Sequence, residues 1–98
     1  MAVETFRGQK YALAPAGATT AIKARAGRCI RLFITETAVA VTMKIHDAAS
    51  IGTAAAGNRV FESAANPLIG TIYELDVPCT AGIVAVTGAG LTCTVVYS

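Results

Sequence analysis

The chain has 98 residues, one domain's worth, with 14% charged residues against 54% hydrophobic ones and a net charge of +2. A chain this short buries one modest core, about 60–65% of its unfolded surface. Its opening residues, MAVETFRGQK, hold no apolar core, so no signal peptide is expected, and no apolar run reaches the roughly 18–20 residues of a membrane span.

Residues 1–8 read as an N-terminal arm, with a short strand over Val3 to Arg7 as the alternative. Gln9 to Leu13 is a weak strand, stopped by Ala14-Pro15-Ala16-Gly17. Thr19 to Ala24 is a second short strand, turned by Ala26-Gly27. Arg28 to Thr37 is strong: Ile30, Leu32 and Ile34 share one face, Arg31 and Thr35 the other. Val39 to Asp47 repeats the pattern, with Val39, Val41, Met43 and Ile45 inward and Thr42, Lys44 and His46 outward. Ala48 to Gly57 offers no apolar stripe and is broken by glycines, so it is a loop with room for one helical turn.

Arg59 to Ser63 is the next strand, ended by the Asn66-Pro67 turn. Ile72 to Val77, Ile83 to Thr87 and Leu91 to Tyr97 follow, rich in β-branched residues and separated by Pro78-Cys79-Thr80-Ala81-Gly82 and Gly88-Ala89-Gly90. The second of these breaks reads as a hairpin turn, which sets Thr87 opposite Leu91 and Ala85 opposite Cys93. The total is about eight strands in one all-β domain. An antiparallel β-sandwich of jelly-roll type is the expected fold, with an immunoglobulin-like Greek key as the alternative. Ile30, Leu32, Ile34, Val41, Met43, Ile45, Tyr73, Leu75 and Val95 are its expected core.

Composition narrows function by exclusion. Of the 53 hydrophobic residues 20 are alanine, which adds little burial. Charge is well under the roughly 25% of an ordinary domain, so part of the surface is expected to be covered by a partner. Residues 1–31 carry six cations against Glu4, a net of +5, and residues 32–98 a net of −3. This asymmetry points to a basic face that docks on an acidic partner. No basic run or aromatic stacking platform speaks for nucleic acid.

No catalytic residue, cofactor site or metal site is expected. His46 and Asp47 are adjacent on a strand and point to opposite faces, and there is no second histidine. Scattered carboxylates lack ligand spacing. Gly88-Ala89-Gly90 precedes a strand and not a helix, so it cannot cradle a phosphate in the usual way. Glu74 and Asp76 read as a solvated face. Cys29, Cys79 and Cys93 form no CxxC pair and read as buried free thiols.

The segments VAVTMKIHD (39–47), YELDVPC (73–79) and GIVAVTG (82–88), closing on TVVY (94–97), resemble small β-sandwich virion proteins of tailed bacteriophages: capsid decoration (cement) proteins and the sandwich modules of head fibres. The resemblance spans roughly residues 28–98. It implies a structural protein, made in the host cytoplasm, that binds and stabilises the head shell on the virion surface. Its partners would be the major capsid protein and further copies of itself, as a trimer. A carbohydrate-binding or adhesin module of a phage fibre is the rival, disfavoured by the absence of Trp and of aromatics in the loops. The expected docking residues are Phe6, Arg7, Lys10, Lys23, Arg25 and Arg28, with Phe6 as apolar anchor.

Overall fold

The structure, a computed structural model, describes residues 9–38 and 40–98. The expected arm over residues 1–8, its alternative strand Val3 to Arg7, and Val39 lie outside the described residues. Eight strands follow in chain order: β1 (Lys10–Ala14), β2 (Thr19–Lys23), β3 (Gly27–Glu36), β4 (Met43–His46), β5 (Arg59–Glu62), β6 (Ile72–Cys79), β7 (Ile83–Thr87) and β8 (Thr92–Tyr97). They form two antiparallel four-stranded sheets, β1-β8-β3-β6 and β2-β7-β4-β5. Successive strands change sheet at every connection except β4 to β5. This is the jelly-roll order, and it excludes the immunoglobulin-like alternative.

The two inner faces meet in one core. Leu32, Ile34, Met43, Ile45 and Val95 are buried there, with Cys29, Ile83, Leu91 and Cys93 beside them. Val41, Tyr73 and Leu75 are half-buried and pack against it. Ile30 departs from expectation. The register of β3 shifts between Cys29 and Arg31 against both β6 and β8. That extra residue turns Cys29 inward together with Leu32, three positions on, and Ile30 is left half-buried.

The chain between β7 and β8 is not a hairpin. A turn closed by Leu91 N–H to Gly88 O (3.1 Å), with Gly90 at φ +84°, carries the chain from one sheet to the other. Ala85 therefore pairs with Ile45 and Thr20, and Cys93 with Ile34 and Ala14. Leu91 is buried at the crossing. Both strands must bury one face in a shared core, and a short turn serves a sheet-to-sheet arch as readily as a hairpin.

Strand β4 is also shorter than its apolar alternation suggests. Ala40 has φ +62°, which breaks the extended chain. The carbonyls of Val41 and Thr42 then accept from Asn66 N–H (2.8 Å) and Gly88 N–H (3.0 Å), both loop groups.

Candidate docking surface

The residues with chemical potential are spent on loop anchoring at one end of the sandwich. His46 is buried, not solvent-facing as its place in the alternation suggested. Its Nδ1 lies 2.9 Å from Ala55 O and 3.0 Å from Asn58 Oδ1. Both are acceptors, so Nδ1 carries the proton and donates. Asn58 completes the lock: its side-chain oxygen accepts from Ala55 N–H (2.9 Å) and its amide donates to Thr53 O (2.8 Å). The loop from Asp47 to Asn58, with its two 3-10 turns (Ile51–Thr53 and Ala56–Asn58), is thereby folded over the histidine.

Asp47 serves a different partner. Its carboxylate accepts from Thr80 N–H (3.0 Å), Thr80 Oγ1 (3.1 Å), Ala81 N–H (2.7 Å) and Gly82 N–H (3.3 Å). The Ala81 bond, helped by those of Thr80 and Gly82 and opposed by partial burial, holds the carboxyl pKa below its ordinary value. Adjacent in sequence, His46 and Asp47 hold two separate segments and form no dyad. Glu74 and Asp76 are outward and exposed, and each meets an arginine of β3: Arg31 Nε to Glu74 at 3.2 Å and Arg28 to Asp76 at 3.1 Å.

The three cysteines are free and buried, as expected. Burial pushes Cys29 up to about 12, with Cys79 and Cys93 adding to it, and pushes Cys93 up to about 11. Thiols so placed stay protonated and unreactive at neutral pH. No group of His, Cys, Asp or Glu among the described residues has the arrangement to hold a metal ion.

The surface of interest is the outer face of the β1-β8-β3-β6 sheet. Register aligns Leu13, Thr94, Phe33 and Ile72 in one row across all four strands. The next row is Tyr11, Val96, Arg31 and Glu74. Tyr11 is 76% exposed, Leu13 59% and Ile72 51%. The turn that leads into β6, closed by Thr71 N–H to Leu68 O, exposes Leu68 and Ile69 at 72% and 65%. A wet sheet face normally alternates to polar residues, so a row with Leu13, Phe33 and Ile72, interrupted only by Thr94, is a candidate contact surface. Sequence reasoning recorded only inward alternation and missed it. The signal was present: inward Leu32, Ile34 and Tyr73 force Phe33 and Ile72 outward.

Beside this face the structure gathers part of the expected basic set. Lys10, Lys23 and Arg25 line one open hollow of about 510 Å³ with Ala24 and Tyr97. Lys10 also walls a second hollow of about 250 Å³, lined by Gln9, Tyr11, Arg31 and Val96. Arg28 does not line either hollow; its guanidinium bonds Asp76 O (2.9 Å) and the Asp76 carboxylate. Phe6 and Arg7 lie outside the described residues.

No protein-family model matches the chain, and no curated protein or solved structure matches it either.

Proposed function

We propose that this chain is a non-catalytic structural protein that covers another protein surface, and specifically a capsid decoration protein of a tailed-bacteriophage head. The observation that carries the docking reading is the row Leu13, Thr94, Phe33, Ile72 on the outer face of the β1-β8-β3-β6 sheet, apolar at three of its four positions. Contact surfaces need about 800 Å² per partner for specific attachment, and repetition over many copies multiplies a modest affinity. The jelly-roll order suits such a role, because it presents the outer face of a four-stranded sheet. The choice of a phage head over other surfaces rests on the sequence resemblance over residues 28–98. By the same resemblance the partner is the major capsid protein and the chain works as a homo-oligomer, a trimer, on the virion.

The test is direct. Purified chain is incubated with emptied heads of tailed phages, and binding is read by co-sedimentation; its own assembly state is measured by sedimentation equilibrium. Retention on shells together with self-association supports the reading. A strict monomer at high concentration that leaves every shell unbound removes it.

A further inference from the structure

We infer that the hollow formed by Lys10, Lys23 and Arg25 is a clamp for an acidic peptide segment of a partner protein, one whose carboxylates flank an apolar side chain. The inference rests on the docking reading above and names the chemistry of the contacted segment.

Among the described residues Lys10, Lys23 and Arg25 form no ion pair, whereas Arg28, Arg31 and Arg59 each do. Three like charges around one hollow repel one another, and an anion between them relieves that repulsion. The Lys23 side chain lies over Gly27: a Cβ there would come within 3.0 Å of its Nζ and 2.8 Å of its Cδ. The cations are therefore gathered by the fold, from β1, β2 and the turn after β2, and not by neighbouring acids.

A segment of a foreign partner supplies the anion more readily than a second copy of the described surface. Every described side-chain carboxylate has a hydrogen-bond or ion-pair partner in its own chain. Glu36 accepts from Thr92 (2.8 Å), Asp47 from the β6–β7 turn, and Glu62, Glu74 and Asp76 from Arg59, Arg31 and Arg28. A second copy would have to share a carboxylate that already holds an internal contact. A foreign segment does not.

The adjoining hollow decides between a peptide and a phosphate backbone. It shares Lys10 with the basic hollow, and Tyr11, Val96 and the stem of Arg31 make it largely apolar. A segment with carboxylates beside a leucine-sized side chain fills both. Single-stranded nucleic acid is held by successive bases on several aromatics, and here Tyr11 is the one exposed ring at the site. Charge in an open hollow sets orientation and encounter rate more than affinity, and the apolar neighbour supplies the hold.

The probe is a synthetic octapeptide, Gly-Asp-Glu-Leu-Asp-Glu-Leu-Gly, titrated into the ¹⁵N-labelled chain. The expected result is amide shifts at Lys10, Tyr11, Lys23, Arg25 and Tyr97 that weaken as salt is raised. The exposed-site variant Arg25→Glu and the double variant Lys23→Glu/Arg25→Glu should lower affinity, the latter by at least about tenfold. Unchanged spectra elsewhere show that the variants remain folded. The inference is overturned if those amides do not respond. It is overturned equally if the Asn/Gln version of the peptide acts as strongly, or if an eight-nucleotide thymidine oligonucleotide binds more tightly. If the peptide fails while the chain still coats phage shells, this inference falls and the docking reading stands. Peptide binding without shell binding has the opposite meaning.

Discussion

The carboxylate of Asp47 accepts the Ala81 N–H at 2.7 Å across 34 positions of sequence, and through it the β4–β5 loop is fastened to the β6–β7 turn. Asp47 N–H to Asn58 O (2.8 Å) and Ala48 N–H to Gly82 O (3.2 Å) continue the seam. One charged side chain thus closes one end of the sandwich.

Asp47→Asn is expected to lower stability by about 1–2 kcal/mol, because hydrogen bonds to a carboxylate are stronger than those to an amide and the site is only partly screened from water. The pH dependence has a definite sign. The folded-state pKa of Asp47 is depressed, so its contribution is complete above the unfolded value, about 3.9. It is lost as pH falls through the folded value. Urea midpoints measured from pH 7 down to pH 2 should show this acid limb in the parent chain and a shallower one in the variant. Identical limbs would refute the assignment.

Gly82→Ala tests the same seam from the other side. A Cβ there would sit 2.5 Å from both Ala48 O, in the β4–β5 loop, and Lys23 O, at the end of β2, and both are backbone atoms. One of the segments must move, at a cost of about 1–3 kcal/mol. Thermal unfolding should report the loss. A variant as stable as the parent would mean that the two loops are not in this contact.

The core offers a sharper contrast. Leu32 and Ile45 are fully buried, so Leu32→Ala or Ile45→Ala should each cost about 2–5 kcal/mol. Ile30, displaced by the bulge after Cys29, should cost only about 1 kcal/mol when truncated. Equal losses at positions 30 and 32 would restore the uninterrupted alternation and remove the bulge.

That contrast marks how far the sequence could be read. Strand positions and inward faces follow from period-two alternation, a local property, and Leu32, Ile34, Met43, Ile45 and Val95 are buried as the pattern requires. What was not legible is non-local. The bulge at Cys29 is set by two partners of β3, and the arch at Gly88–Leu91 by which sheet each strand joins. The burial of His46 depends on the β4–β5 loop folding back to place Ala55 and Asn58 over it. The same holds for the docking surface. Lys10, Lys23 and Arg25 were singled out by charge, but only the β1–β2 geometry brings them around one hollow and sends Arg28 elsewhere. The apolar row needed the register of three strand pairs before it could be seen.

The thiols give a chemical check on burial. Cys29 and Cys93 are buried with pKa values pushed up to about 12 and about 11, and Cys79 is raised as well. Ellman's reagent at pH 8 should therefore react very slowly with the native chain and release three equivalents once guanidinium unfolds it, matching the three cysteines. Rapid modification of the native protein would contradict the packing of β3 against β6 and β8.

The outer sheet face separates contact from stability. Leu13 and Ile72 are more than half exposed and lie in one cross-strand row with Phe33. Replacing them therefore removes little buried area, and Leu13→Lys/Ile72→Lys should change unfolding free energy by no more than about 1 kcal/mol. The effect on association should be large by comparison. Two ammonium groups placed in a desolvated contact meet no opposite charge within their own row of Leu13, Thr94, Phe33 and Ile72. If this row is the covering surface, the double variant sediments as a monomer at concentrations where the parent associates, and it no longer remains on phage shells. A variant that assembles and binds like the parent would move the contact off this face. In that case the basic hollow beside Tyr97 becomes the next surface to alter.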